Sequence, residues 1–235
     1  MRSFFQPEIL NGDLYLDAEE SRHCVKVLRL KEQDQIIVLD GSGGYHTVSI
    51  TNANHKKCEF EILKSEVFAH GEQYIHIAIA PTKNLDRIEW FVEKAVEIGV
   101  KEISFFFSDN SERKHFKTDR VIKKAVSAMK QSLKTYLPII NKPIKLSDFI
   151  TQYQNGETQR FIAYVDQANP DLLFDLAQPK QNVIVLIGPE GDFSEKELNL
   201  AIDNQYTKVS LGESRLRTET AGIAACHILN LINGK

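Results

Sequence analysis

Apolar and polar positions along this chain change rhythm near residue 70. Before that point they alternate. "QIIVLDGSGGYHTVSI" (35–50) predicts a strand, a glycine-rich turn and a second strand, and "KKCEFEILKSEVF" (56–68) adds another alternating run. One helix interrupts them: Asp17 and Glu20 make a capping-box-like start before "SRHCVKVLRL" (21–30). From Tyr74 strands and helices take turns. "YIHIAIA" (74–80) reads as a strand. "LDRIEWFVEKAVEIG" (85–99) reads as a helix with Ile88, Phe91, Val92, Ala95 and Ile98 on one face and Gly99 at its end. There follow a strand "EISFFF" (102–107), a helix from Thr118 to about Tyr136, strands "RFIAYV" (160–165) and "NVIVLI" (182–187), and a helix from Ser194. A strand "KVSLG" (208–212) and a last helix to about Ile232 complete the pattern. On the helix from Thr118, the residues Val121, Ile122, Ala125, Met129 and Leu133 are predicted to face the core. The expectation is a small β-barrel over residues 1–70, a junction at "FAHGEQ" (68–73), and over 71–235 an α/β domain whose mostly parallel sheet is covered on both faces.

With 235 residues and 42% hydrophobic positions, the chain has ample material for a core. A net charge of −3 gives no global sign of nucleic-acid binding, so only a local basic patch would support it. Such a patch exists. Between Ser111 and Lys145 ten basic residues face only Glu112 and Asp119. Of these, Arg120, Lys124 and Lys134, with Gln131, share the outer side of the predicted helix. A second set, Arg22, Lys26, Arg29 and Lys31, lies on the first helix and its exit. Three cysteines far apart in sequence, without a C-x-x-C, fit reduced thiols in a cytoplasmic protein. The seven histidines show no metal-ligand spacing, and no apolar run has the length of a membrane span.

The candidate chemistry lies in "LIGPEGDFSEKEL" (186–198), where an apolar strand ends in Gly188-Pro189-Glu190-Gly191 and Ser194 with Glu197 opens a helix. Phosphate ligands fit poorly. No Lys-Ser/Thr follows the turn, no G-x-G-x-x-G follows a first strand, and Glu190 repels a polyphosphate at close range. A cofactor with cationic character and an adenosine to bury, S-adenosyl-L-methionine, suits the turn better. "VSLGESRLRTETAGIAA" (209–225) repeats the design, running from a strand through Gly212 into a helix rich in small residues that Thr218 or Thr220 can cap. Ala221, Gly222, Ala224 and Ala225 permit close approach of a ligand or of another backbone.

These two segments in sequence resemble the C-terminal signature of the RsmE family, SPOUT-class methyltransferases that methylate N3 of a uridine in small-subunit (16S) ribosomal RNA. "FVEKAVEIGVKEI", "SERK" and "MKQSLKTYLP" are similar to family segments upstream. "RSFF" and "HCVKVLRL" resemble those of its PUA-like RNA-binding barrel, which brings in Arg2, His23 and Arg29. The resemblance implies an α/β fold, a SPOUT-type parallel sheet with a C-terminal trefoil knot, preceded by a small PUA-like β-barrel. It also implies a homodimer whose partner chain completes the site, and ribosomal RNA or the assembled small subunit as partner. Three positions depart from the family pattern: Asp192 stands in place of a glycine, and Lys130 and Lys134 replace a glutamate and an arginine beside Gln131-Ser132.

On that resemblance, Ile187, Gly188, Pro189, Glu190 and Gly191, with Leu211, Gly212, Leu216, Arg217, Thr218, Glu219, Thr220 and Ala221, are the cofactor-binding residues. Arg2, Arg22, His23, Lys26, Arg29, Arg113, Arg120, Lys124, Gln131 and Lys134 are the RNA-binding set. N3 of uracil carries a proton on the base-pairing edge, so the chemistry needs an unpaired or flipped base and loss of that proton. Arg217 or Arg113 is the candidate to stabilise the resulting negative charge, and Glu219 the candidate proton acceptor. Glu219 also has a purely structural reading, as a first-turn carboxylate that favours the last helix's dipole. Two rival functions differ in class: a non-catalytic RNA-binding ribosome-assembly factor, and a SPOUT enzyme acting on another RNA atom such as a ribose 2′-hydroxyl.

Overall fold

The computed structural model describes residues 2–71, 73–153, 157–166 and 171–234; Glu72, inside the expected junction, lies outside the described residues. The chain divides into two compact units. The first takes residues 1–70 together with 126–137, and the second takes 71–125 and 138–235.

In the first unit β1 (Ser3–Phe5), β2 (Gln35–Leu39), β3 (Gly44–Asn52) and β4 (Glu59–Val67) form a sheet in that order. β1 runs parallel to β2, and the other pairs are antiparallel. The sheet is extended at Leu14–Leu16, where Leu16 N–H donates to Cys58 O and Phe60 N–H to Leu14 O. Phe4, Ile9, Leu16, Cys24, Ile36, Val38, Val48, Ile50, Cys58 and Phe60 fill its core. The alternation read in "GYHTVSI" is the buried face of β3.

The helix expected across "SRHCVKVLRL" is shorter and irregular. α1 (Ala18–Arg22) is capped by Asp17 Oδ1 on Glu20 N–H at 2.8 Å, then widens into a π-turn over His23–Val27. Arg29 follows with φ 56°, in the left-handed region that ends a helix.

In the second unit the strand order is β11 (Thr207–Val209), β9 (Gln159–Ala163), β10 (Val183–Ile187), β5 (Ile75–Ile79), β6 (Glu102–Phe107), β7 (Ile139–Ile140), with β8 (Ile144–Lys145) also on β6. Every pair is parallel. β5 and β10 are buried at every position, as strands covered on both faces must be. α2 (Leu85–Ile98) buries Ile88, Phe91, Val92, Ala95 and Val96 and ends at Gly99, whose φ is 124°. α4 (Leu146–Gln152), α5 (Leu173–Leu176), α6 (Glu195–Asp203) and α7 (Thr218–Asn233) supply the other helices.

α3 (Asp119–Ser132) is shared between the two units and stops four residues before the expected end. Leu133 adopts φ 52°, and Lys134 N–H reaches back to Met129 O at 3.0 Å, a closing bond that terminates the helix. Val121, Ala125 and Met129 are buried as expected. Ile122 and Leu133 are not: they are 38% and 47% exposed. Ile122 follows an inward residue at a 100° turn, and Leu133 has already left the helix.

The amino-terminal ends of β5 and β6 hold a polar cluster that the sequence pattern concealed. His76 Nε2 lies 2.8 Å from Ser104 Oγ, and its Nδ1 is 3.6 Å from Glu102 Oε2. Tyr74 and Tyr153 hydroxyls donate to Glu102 at 2.7 and 2.9 Å, and Asn141 Nδ2 donates to Glu102 and Ser104. Burial pushes the His76 pKa down to about 4, against the opposing pull of Glu102. It pushes Tyr153 up to about 12, with help from the glutamate.

Candidate functional site

Strand order reverses between β5 and β10, and the carboxyl-terminal edge at such a switch point is where a parallel sheet opens for ligands. Four neighbouring strand exits, of β5, β10, β9 and β11, meet there. Ala80 N–H donates to Ile187 O at 3.0 Å, continuing the β5–β10 pairing, and Lys83 N–H donates to Glu190 Oε1 at 3.2 Å. From β9, Tyr164 N–H donates to Val209 O at the end of β11, while Val165 N–H donates to Asp192 Oδ2 at 3.3 Å. The structure thus brings the two glycine loops, 188–193 and 210–217, to neighbouring positions on one edge.

The first loop is tightly built. Asp192 N–H closes a turn on Pro189 O at 3.0 Å. Asp192 itself has φ 62°, the left-handed conformation that accounts for the glycine usual at this position. Its short side chain compensates locally, with Oδ1 accepting from Phe193 N–H at 2.9 Å; burial raises its pKa, and Arg215 from the second loop opposes that rise. At Gly188 a β-carbon would stand 3.0 Å from the Phe193 ring, and at Gly191 3.1 Å from Asn110 Cβ. Asn110 Nδ2 donates to the carbonyls of Gly191 and Asp192 at 3.1 and 3.0 Å. The capping box on α6 is present, with Ser194 and Glu197 reciprocally bonded. Glu197 Oε1 also accepts from Asp109 N–H at 2.8 Å, and Ser194 Oγ donates to Asp109 Oδ2 at 2.8 Å. Asp109 and Asn110 were missed by the sequence reading, because nothing local in "FSDNSE" shows that this loop braces a turn some 80 residues away.

Of the carboxylate oxygens buried without a hydrogen-bond partner among the described residues, which also include Glu20 Oε2 and Glu89 Oε1, two belong to the candidate site. Glu190 Oε2 is buried with no hydrogen-bond partner, and so is Glu219 Oε2. Glu219 is only 5% exposed, and its other oxygen lies 3.8 Å from Arg87 Nε on α2. A buried carboxylate oxygen left unpaired is costly, and its natural complement is a donor or cation from a ligand.

α7 begins differently from expectation. Arg217, not Thr218 or Thr220, is the N-cap residue; it offers no capping oxygen, and Thr218 is already the first helical residue and buried. Arg217 and Gly212 are exposed, Leu211, Leu216, Thr220 and Ala221 are half-buried, and Ile187 and Pro189 are buried. Gly222 belongs to packing, because a β-carbon there would meet Phe91 Cε2 at 2.6 Å and Ile79 Cδ1 at 3.1 Å.

Arg113 joins the site through main-chain oxygens: its Nε donates to Thr82 O at 3.2 Å and Nη2 to Lys83 O, in the loop that also binds Glu190. Arg120 and Lys124 are engaged by α2, Arg120 with Glu89 at 2.6 Å and Asp86 at 3.7 Å, Lys124 with Glu93 at 3.2 Å. Within the first unit, Arg22, His23, Lys26, Arg29 and Gln131 are exposed, and Lys134 is half-buried. Arg2 Nη1 donates to Leu28 O at 2.8 Å. Lys130, one of the departures, pairs with Glu20 on α1. Among the described residues no three His, Cys, Asp or Glu side chains gather as a metal would need, and no helix is long and apolar enough to cross a membrane.

A small sheet unit ahead of a parallel sheet with two braced glycine loops at its switch point is the architecture of an RNA-modifying transferase, and the chain belongs to the RNA methyltransferase family. The RNA methyltransferase domain matches residues 70–230, and the RNA methyltransferase PUA domain matches residues 16–63. The chain is 39% identical to a probable rRNA-methyltransferase from Porphyromonas gingivalis, with a TM-score of 0.91 over 100% of this chain and 99% of that one. It is similar to a ribosomal RNA small subunit methyltransferase E from Neisseria gonorrhoeae whose crystal structure is bound to S-adenosyl methionine (27% identity, TM-score 0.89, 99% of this chain and 98% of that one). A ribosomal RNA small subunit methyltransferase E of Mesomycoplasma hyopneumoniae is 29% identical over 85% of this chain and 86% of its own length. These findings bear out the family resemblance read from the two C-terminal motifs.

Proposed function

We propose that this chain transfers a methyl group from S-adenosyl-L-methionine to N3 of a uridine in small-subunit ribosomal RNA. The observation that carries the cofactor reading is the pair of buried, unpartnered carboxylate oxygens, Glu190 Oε2 in the loop after β10 and Glu219 Oε2 in the first turn of α7, which follows the loop after β11. They fit a ligand that brings cationic or N–H groups and disfavour a polyphosphate. The RNA reading rests on the match to the methyltransferase and PUA domains and on the likeness to relatives named for the small subunit.

The cofactor, when bound, supplies a methyl group activated on a sulfonium. Backbone groups of Ile187 to Gly191, with Leu211, Gly212 and Leu216, hold its adenosine and methionine parts, and Thr218, Thr220 and Ala221 line the start of α7. Glu219 accepts the N3 proton. Arg217 or Arg113 stabilises the negative charge that develops on the base, the protein's main lever on the barrier. Residues 1–70 act as the PUA-like RNA-binding domain and 71–235 as the SPOUT domain, with the C-terminal segment threaded as a trefoil knot. The enzyme works in the cytoplasm as a homodimer whose partner chain completes the site. Arg2, Arg22, His23, Lys26, Arg29, Arg113, Gln131 and Lys134 contact the RNA. Arg120 and Lys124 must exchange carboxylate partners on α2 to do so.

Calorimetric titration of S-adenosyl-L-methionine into the protein and its Glu190→Gln variant tests the cofactor site. Removing a charge-assisted contact is expected to weaken binding by roughly 10- to 100-fold. Equal affinities in the two proteins would contradict the assignment of Glu190. No binding by either would favour a non-catalytic assembly factor.

A further inference from the structure

Cys24 and Cys58 are 34 positions apart in the chain, yet their sulfurs lie 3.9 Å apart, and both residues are fully buried in the core of the first unit. Cys24 sits in the π-turn His23–Val27, and Cys58 immediately precedes β4. The backbone on the Cys58 side is held firmly. Its N–H donates to Ser21 Oγ at 2.8 Å, its carbonyl accepts from Leu16 N–H at 2.8 Å, and Ser21 Oγ donates in turn to Leu16 O. Cys24 is carried by the less regular partner, a π-turn whose His23, Lys26 and Val27 are exposed while Val25 is half-buried against the core.

We propose that Cys24 and Cys58 form a redox pair that a hydroperoxide converts to a disulfide, locking the π-turn with His23 and Lys26 onto the start of β4. A disulfide needs a sulfur separation of about 2.05 Å, so the sulfurs must close by roughly 2 Å from their present contact. The contact between the two sulfurs also lowers the Cys58 pKa, because Cys24 S–H stabilises the Cys58 thiolate, while the same contact and burial raise that of Cys24. Cys58 is therefore the attacking group. Its thiolate attacks the peroxide oxygen; the O–O bond breaks, the alcohol or water leaves with one proton, and Cys58 becomes a sulfenic acid. Cys24 sulfur then attacks the sulfenic sulfur. The S–S bond forms, the S–O bond breaks, and hydroxide leaves as water with the Cys24 proton. Two thiols and one peroxide give one disulfide. Access comes through opening of the π-turn, a short element with few buried side chains. In a reducing cytoplasm the dithiol is the resting form, and a thiol reductant restores it.

The pair's chemistry is independent of methyl transfer and is tested on the full native chain. The protein is treated with hydrogen peroxide in native buffer, unfolded in the presence of N-ethylmaleimide, and mapped by peptide mass. The expected result is a Cys24–Cys58 linked peptide about 2 Da lighter than the sum of its parts, alkylation at Cys226, and reversal by dithiothreitol. Alkylation of all three cysteines, or a linkage through Cys226, would overturn the proposal. The Cys24→Ala variant, which cannot form the bond, is expected to accumulate a sulfenic acid at Cys58 that dimedone captures; an adduct confined to Cys226 would contradict the attacking role. Locking is read by hydrogen exchange. Amides of residues 23–28 are expected to slow by about tenfold or more in the oxidised protein, and unchanged exchange would refute the lock.

Discussion

Gly222 offers a direct test of whether small residues on α7 serve packing or ligand approach. Its face of the helix meets Phe91 on α2 and Ile79 on β5, both fully buried. In Gly222→Ala the new methyl would stand 2.6 Å from Phe91 Cε2, 2.9 Å from Cδ2 and 3.1 Å from Ile79 Cδ1. With both neighbours enclosed, the ring can only retreat by moving α2. Overpacking of this kind costs about 1–3 kcal/mol, and a contact this short belongs at the upper end. Alanine's higher helix propensity offsets about 1 kcal/mol. The net expectation is a loss of about 1–2 kcal/mol, which for a unit of roughly 150 residues lowers Tm by about 2–8 °C. Differential scanning calorimetry measures the shift, and adding Phe91→Leu should recover part of it by making room. An unchanged or higher Tm would refute the packing argument. An unchanged Tm with a large loss of S-adenosyl-L-methionine affinity would transfer Gly222 to the ligand site.

Other expectations follow from individual groups. Glu219→Gln should cut methyl transfer at saturating S-adenosyl-L-methionine by about 100-fold or more, as for a proton acceptor, beyond any loss of cofactor affinity from its buried oxygen; full turnover in single-turnover assays at saturating cofactor would leave Glu219 only its binding and structural roles at the start of α7. His76 is held at a pKa of about 4 by burial, whereas in the unfolded chain it titrates near 6.5. Between those values the unfolded state binds the extra proton, so stability is complete above about pH 6.5 and falls as pH drops toward 4, by about 3 kcal/mol at most. Urea titrations across that window should show a shallower pH dependence in His76→Gln, and parallel curves would contradict the assignment. Removing Glu89 and Glu93 together should strengthen RNA binding and steepen its salt dependence if Arg120 and Lys124 contact phosphate once released; filter binding at several salt concentrations reads both.

Long elements were legible because burial imposes a period. α2, β5, β6 and β10 fall within a residue or two of their expected limits, since each buries a continuous face or stripe. The capping box at Ser194 was legible for the same local reason. What escaped depended on distant partners. β1 exists because it pairs with β2 some 30 residues on, and β7 and β8 because β6 offers an edge. α3 ends where Leu133 takes a left-handed turn, a conformation that no leucine advertises. At the site, the two glycine motifs identified the loops, and the φ of Asp192 explains the glycine it replaces. The bracing by Asp109 and Asn110 and the engagement of Arg120 by Glu89 are tertiary facts without a sequence period.

The most direct measurement is methyl transfer from labelled S-adenosyl-L-methionine to small ribosomal subunits that lack the endogenous modification, followed by nucleoside analysis. The account expects label in 3-methyluridine. Label in a ribose-methylated nucleoside would contradict the assignment of N3, and no transfer by a protein that still binds the cofactor would contradict this RNA as its substrate.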